Sequence, residues 1–148
     1  MGLDMYLSAK KYLWGKKDEE LIKVIRAEQI AGMGDMEPKE ITCRAMYWRK
    51  ANAIHKWFVD HCQDGEDDCK EYEVEHGKLR ELESLCLTVL AERGKSTEKL
   101  PPSAGFFFGS SDIDDYYWEY LQQTADGIAK LLATDGIDNW TFTYQSSW

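Results

Sequence analysis

Residues 46–72 read MYWRKANAIHKWFVDHCQDGEDDCKEY, and the change of pattern inside this stretch decides the fold. Ile41 to Tyr47 reads as a strand running into a helix. From Trp48 the spacing is helical: Trp48, Ala51, Ile54, His55, Phe58, Val59 and Cys62 form an i, i+3, i+4, i+7 stripe. Arg49, Asn52, Lys56 and Asp60 lie off it. The stripe points His55 toward the core or a cleft floor and leaves His61 nearer its margin. An acidic turn centred on Gly65 follows over residues 63–68, and Cys69 to Val74 reads as a short strand. The stretch also gathers two of the three histidines and two of the four cysteines, so a site is expected here first.

Upstream, Leu3 to Trp14 reads as a strand. Met5, Leu7 and Leu13 fall on one parity, and Tyr6, Ser8, Tyr12 and Trp14 on the other. Large side chains on both parities predict a strand covered on both sides, with Lys10 and Lys11 guarding an edge. Asp18 is placed to cap a short helix carrying Leu21, Ile22, Val24, Ile25 and Ala27, and residues 31–39 form a loop. Downstream, a helix over residues 75–93 has Leu79, Leu82, Cys86, Val89 and Leu90 as its stripe and Gly94 as its C-cap. A long connection over residues 95–111 holds a brief strand at Phe106 to Phe108. Ser111 or Asp112 caps a further helix reaching Ala133, with Tyr117, Leu121, Thr124 and Ile128 on its core face. Asp135-Gly136 makes a turn, and the last strand runs from Asn139 to Ser146. Strands at both ends with helices between them predict an α+β fold: a mainly antiparallel sheet of N-terminal, middle and C-terminal strands packed with three to four helices. Strand order does not follow from the sequence.

The chain of 148 residues is of single-domain length, so residues 1–148 are expected to form one domain without disulfides or a metal to staple it. A net charge of −9 argues against a general nucleic-acid binder, which needs a basic footprint to displace counterions from phosphates. No apolar run approaches the roughly 20 residues of a membrane span. The N-terminal residues lack the apolar core and small-residue cleavage site of a secretory signal, and Tyr6 stands where a myristoylation motif wants Ser or Thr. The cysteines lack a disulfide-type spacing. The expectation is a soluble, cytoplasmic protein with no membrane partner.

Several segments together resemble an uncharacterised family from phages, prophages and bacterial genomes. They are GLDMYLSAKKY (2–12), YWRKANAIHKWFV (47–59), DDCKEYEV (67–74), LPPSAGFFFGS (100–110), IDDYYWEYL (113–121) and YQSSW (144–148). The resemblance implies one ordered domain and a phage or mobile-element origin, and it supplies no catalytic residues. Members are sometimes labelled phosphoglycerate kinase. That label does not suit this chain: 148 residues cannot supply two large substrate-binding domains, and no GxxxxGK[ST] loop is present to cradle phosphates.

Four constellations carry candidate chemistry. Cys62, Cys69 and His76, with six residues between each successive pair and His55 and His61 nearby, include zinc-ligand types but not the tight CxxC knuckle. The expected reading is ordinary Cys and His, with no cofactor. The acidic turn Asp64-Gly65-Glu66-Asp67-Asp68 lacks the complete calcium-loop pattern and reads as a solvated turn. Arg49, Lys50, Asn52 and His55 with Asp67 or Asp68 make a candidate catalytic cleft, in which a histidine oriented by an acid serves as general base and Arg49 holds an anion. Against it stands a hydrogen-bonded core histidine. The aromatic residues Phe106, Phe107, Phe108, Tyr116, Tyr117, Trp118 and Tyr120 divide between core and a protein-binding patch. The candidate binding residues are Trp48, Asn52, Phe107 and Tyr117. Trp148 is expected to dock, against Trp48 or Tyr47. No GxSxG elbow surrounds Ser146 and Ser147.

Two functional expectations follow. The first is a non-enzymatic phage or prophage protein that binds a host protein in the bacterial cytoplasm through an acidic, aromatic surface. The second is a small enzyme or ligand-binding protein with its cleft at Arg49, His55, Asp67 and Asp68. Oligomeric state is open.

Overall fold

Alternation of Met5, Leu7 and Ala9 with Tyr6, Ser8 and Lys10 makes the first strand two-faced, and the computed structural model shows what each face meets. It describes residues 2–27, 36–105 and 108–148. The strands are β1 (Asp4–Tyr12), β2 (Glu40–Arg49), β3 (Tyr72–Val74) and β4 (Thr141–Ser147). All pairings are antiparallel, in the order β2-β1-β4-β3. The helices among the described residues are α1 (Glu19–Ala27), α2 (Asn52–Cys62), α3 (His76–Ala91), the single-turn α4 (Ser96–Lys99) and α5 (Asp115–Leu132). The architecture is α+β, with five helices where three to four were expected.

One face of the sheet is the core. Met5, Leu7, Trp48, Phe142 and Tyr144 are buried there with Ile54 and Phe58 of α2, Leu79, Leu82 and Cys86 of α3, and Leu121, Ala125 and Ile128 of α5. The stacking of Phe58 on Tyr144, with centroids 4.0 Å apart and planes 10° from parallel, seats α2 on β4. The other face is polar. There Tyr6 and Tyr47 lie against each other with the Arg44 guanidinium over both rings. The first strand is therefore covered on one side only, contrary to the sequence expectation, because an antiparallel sheet tolerates water on its second face. Nor do Lys10 and Lys11 guard an edge, since β1 lies between β2 and β4. Lys10 pairs with Glu71 and Lys11 with Asp18.

The boundary in the deciding stretch differs from the sequence reading. Trp48 still belongs to β2, opposite Met5, and the helix begins at Asn52. The break falls at Lys50, whose φ of 59° is left-handed and ends the strand. Asp18 stands just before α1, but its carboxylate turns back to accept from the Trp14 amide at 2.8 Å. Gly94 sits in a 3-10 turn over Arg93–Lys95 rather than capping α3, and α5 is capped by Asp114, not Ser111 or Asp112. Gly136, with φ of 76°, makes the expected turn, after which β4 begins at Thr141. The expected strand at Phe106 to Phe108 falls partly outside the described residues; Phe108 itself lies in a turn, its amide bonded to the Gly105 carbonyl. The loop expected at residues 31–39 is described only from residue 36.

Candidate functional site

Placing His55 on the stripe of α2 drives its ring into the core, where it is 1% exposed. Its Nδ1 lies 2.7 Å from the Tyr144 hydroxyl and its Nε2 3.0 Å from an oxygen of Asp67. An ionised carboxylate only accepts, so in the neutral ring Nε2 carries the proton toward Asp67 and Nδ1 accepts from Tyr144. The second oxygen of Asp67 accepts from the Trp148 indole at 3.1 Å. Phe108 closes the remaining side edge-on to His55, at 5.1 Å between centroids, and Trp148 in turn packs on Phe108. Burial, and secondarily the Asp67 charge, raises the Tyr144 hydroxyl far above the usual tyrosine range. The chain Tyr144–His55–Asp67–Trp148 ties β4, α2, the acidic turn and the last residue together. With both its nitrogens engaged and its ring sealed, His55 offers no open position to a substrate.

The predicted catalytic cleft is therefore divided. Asp67 reaches His55, whereas Asp68 pairs with Lys70 at 2.6 Å and accepts from the Tyr72 hydroxyl, its pKa lowered first by the Lys70 contact. Arg49 is exposed at the end of β2 opposite Asp4 and joins neither group. Trp148 docks as expected, but on Asp67 and Phe108 rather than on Trp48 or Tyr47. Trp48 is a core residue whose indole donates to Thr124 at 2.9 Å. Phe107 lies outside the described residues.

The sequence-predicted metal candidates are placed separately. His76 donates from Nε2 to the Trp140 carbonyl, 3.0 Å away, and its ring meets Phe142. Cys62 is half-buried, and burial pushes its thiol up to about 11. Among the described residues no three His, Cys, Asp or Glu side chains are grouped closely enough to hold a metal ion.

Asn52 and Tyr117, two of the four predicted binding residues, come together at one pocket. It has a volume of about 220 Å³ and a mainly apolar lining. Ala51, Asn52, Ala53 and Ile54 at the start of α2 form one wall, and Tyr116, Tyr117, Tyr120 and Leu121 of α5 the other. Lys50, Gly109, Ser110, Asp112 and Asp114 complete it. Buried Asn52 fixes this shape. Its amide donates to the carbonyls of Phe108 at 3.1 Å and Ser110 at 2.8 Å, and its oxygen accepts from the Ser103 amide at 3.1 Å. One side chain thus ties Ser103 to Phe108 and Ser110, beside the Gly109–Ser110 part of the pocket lining. Tyr117 anchors α5 by donating to the Leu100 carbonyl at 2.8 Å, and burial raises its phenol to about 12. Tyr116 stands open at the rim, 66% exposed.

Sequence reasoning missed Asp112 and Asp114 as pocket residues, since Asp112 read as a helix cap and Asp114 carried no site reading. It also missed Tyr144 as the partner of His55, because nothing in local spacing brings together residues 89 positions apart. The available signal was Asn52 itself, a polar residue just inside a helix that lacks a side-chain cap. No protein-family model, curated protein or solved structure matches the chain.

Proposed function

We propose that this is a binding protein whose ligand enters the pocket between α2 and α5. The observation that carries this reading is the Asn52 clamp: three hydrogen bonds from one buried side chain hold an apolar, tyrosine-walled space open in advance of any ligand. Pre-formed concave sites with a few placed polar groups are the usual form of small-molecule sites. The sealed His55 supports binding over catalysis at the cleft first read from the sequence. A ligand-observed NMR screen of small aromatic fragments tests this, run on the native chain and on Tyr116→Ala. Tyr116 is exposed, so its truncation spares the fold. Fragments are expected to bind the native chain and to weaken several-fold on Tyr116→Ala. Absence of binding at millimolar concentration, or indifference to the substitution, refutes the reading.

A second reading is that a phage- or prophage-encoded protein presents the same rim to a host protein in the bacterial cytoplasm. It is favoured by the exposure of Tyr116 beside Asp112, Asp115 and Glu119, an acidic and aromatic surface suited to a basic partner. No helix among the described residues is long and apolar enough to cross a membrane.

A further inference from the structure

Unlike charges line the pocket without meeting. Lys50 enters from the β2–α2 junction, while Asp112 and Asp114 come from the segment leading into α5. Among the described residues, Lys50 forms no ion pair and neither does Asp112. Asp114 gives one oxygen to the Tyr117 amide and keeps the other. The Gly109 backbone passes close to the lysine stem: a Cβ built there would lie 3.3 Å from the Lys50 Cβ. The same lining includes apolar surface from Ile54, Tyr120 and Leu121.

Resting on the binding reading above, we infer that the ligand is a small zwitterion with an apolar side chain, an α-amino acid of the aromatic or branched aliphatic class. Its carboxylate faces Lys50, its ammonium faces Asp112 and Asp114, and its side chain fills the space against α5. Size agrees. A volume of about 220 Å³ lies below the roughly 300–1,000 Å³ typical of pockets for drug-sized ligands. Charge selects further. A ligand with one charge leaves the opposite group partly desolvated and unpaired, and an uncharged one leaves both so. A partly exposed ion pair contributes up to about 1 kcal/mol, so each matched charge is worth about fivefold in affinity.

The test is calorimetric titration of the full chain with four probes that share a phenyl ring: L-phenylalanine, 2-phenylethylamine, 3-phenylpropionate and uncharged 3-phenylpropan-1-ol. Phenylalanine is expected to bind tightest, each singly charged probe about fivefold weaker, and the alcohol weakest. Lys50→Met should bring phenylalanine down to the level of 2-phenylethylamine, and Asp112→Asn should shrink its advantage over 3-phenylpropionate. Both side chains are exposed and, among the described residues, neither makes a hydrogen bond or ion pair, so these variants should fold as the native chain does. If the alcohol binds as tightly as phenylalanine, or Lys50→Met leaves the order unchanged, the zwitterion inference fails and the pocket stands. If no probe binds at millimolar concentration, the binding reading fails with it.

Discussion

Asn52→Asp changes one side-chain atom, yet it should convert the clamp on the pocket loop into a repulsion. In the native chain the Asn52 amide donates to the Phe108 and Ser110 carbonyls while its oxygen accepts from the Ser103 amide, and the residue is 5% exposed. At about 1 kcal/mol for each net hydrogen bond, Asn52→Ala forfeits about 3 kcal/mol. For a chain of this length that corresponds to a fall in Tm of about 6–12 °C. Aspartate keeps the Ser103 contact, but it aims a buried carboxylate oxygen at two carbonyl oxygens with no proton between them. The loss at neutral pH should therefore exceed that of alanine. Burial and the two carbonyls favour the neutral acid, so the folded pKa of this aspartate rises above its unfolded value. The variant should accordingly regain stability as pH falls through the folded pKa, when one donated bond returns. Urea unfolding at pH 7 and at pH 5, read as a change in midpoint at constant m, measures all three quantities. The reasoning is refuted if Asn52→Asp matches or exceeds Asn52→Ala in stability at pH 7.

Tyr144→Phe removes the hydroxyl that donates to His55, leaving a buried acceptor unpaired, and should cost about 1–3 kcal/mol in chemical denaturation; a change under about 0.5 kcal/mol speaks against the proton assignment. Gly109→Ala places a side chain at φ of 88° and 3.3 Å from the Lys50 Cβ. It should lower stability by about 1–2 kcal/mol and weaken phenylalanine binding by shifting the lysine, which denaturation and calorimetry on one preparation would separate. Asp18 is held below the ordinary carboxylate range first by the Trp14 amide and then by Lys11. Its contribution is complete above its unfolded pKa of about 4 and fades as pH falls through the lower folded value. Asp18→Asn should flatten that part of the stability–pH curve, and an unchanged acid limb contradicts the assignment.

The sequence makes the core far easier to read than the site. Hydrophobic spacing alone finds α3 and α5, since Leu79, Leu82 and Cys86, like Leu121 and Ile128, recur at helical intervals and are all buried. It overextends α2 backward to Trp48, because an extended residue pointing inward and a helical residue on a core stripe look alike in sequence. What separates them is the left-handed backbone at Lys50, and a lysine gives no warning of it. An acid partner for His55 was legible as Asp67 or Asp68, only 12 or 13 positions along across one turn, and the contact falls to Asp67. The pocket depends instead on contacts between residues 50–54 and 109–121, which the fold brings together and no local pattern encodes. Asn52 and Tyr117 were singled out on residue type, and the pocket that unites them emerges only once α5 lies beside the start of α2.

The most direct measurement is a 1H–15N correlation spectrum of the labelled chain, titrated with phenylalanine and, separately, with 3-phenylpropan-1-ol. The expected result is saturable shifts concentrated in the amides of Ala51–Ile54, Ser110–Asp112 and Tyr116–Leu121, larger at Lys50 and Asp112 for phenylalanine than for the alcohol. Saturable shifts centred on Asp67, Cys69 and Trp148 instead, or a spectrum unchanged by both probes at millimolar concentration, would contradict a binding site between α2 and α5.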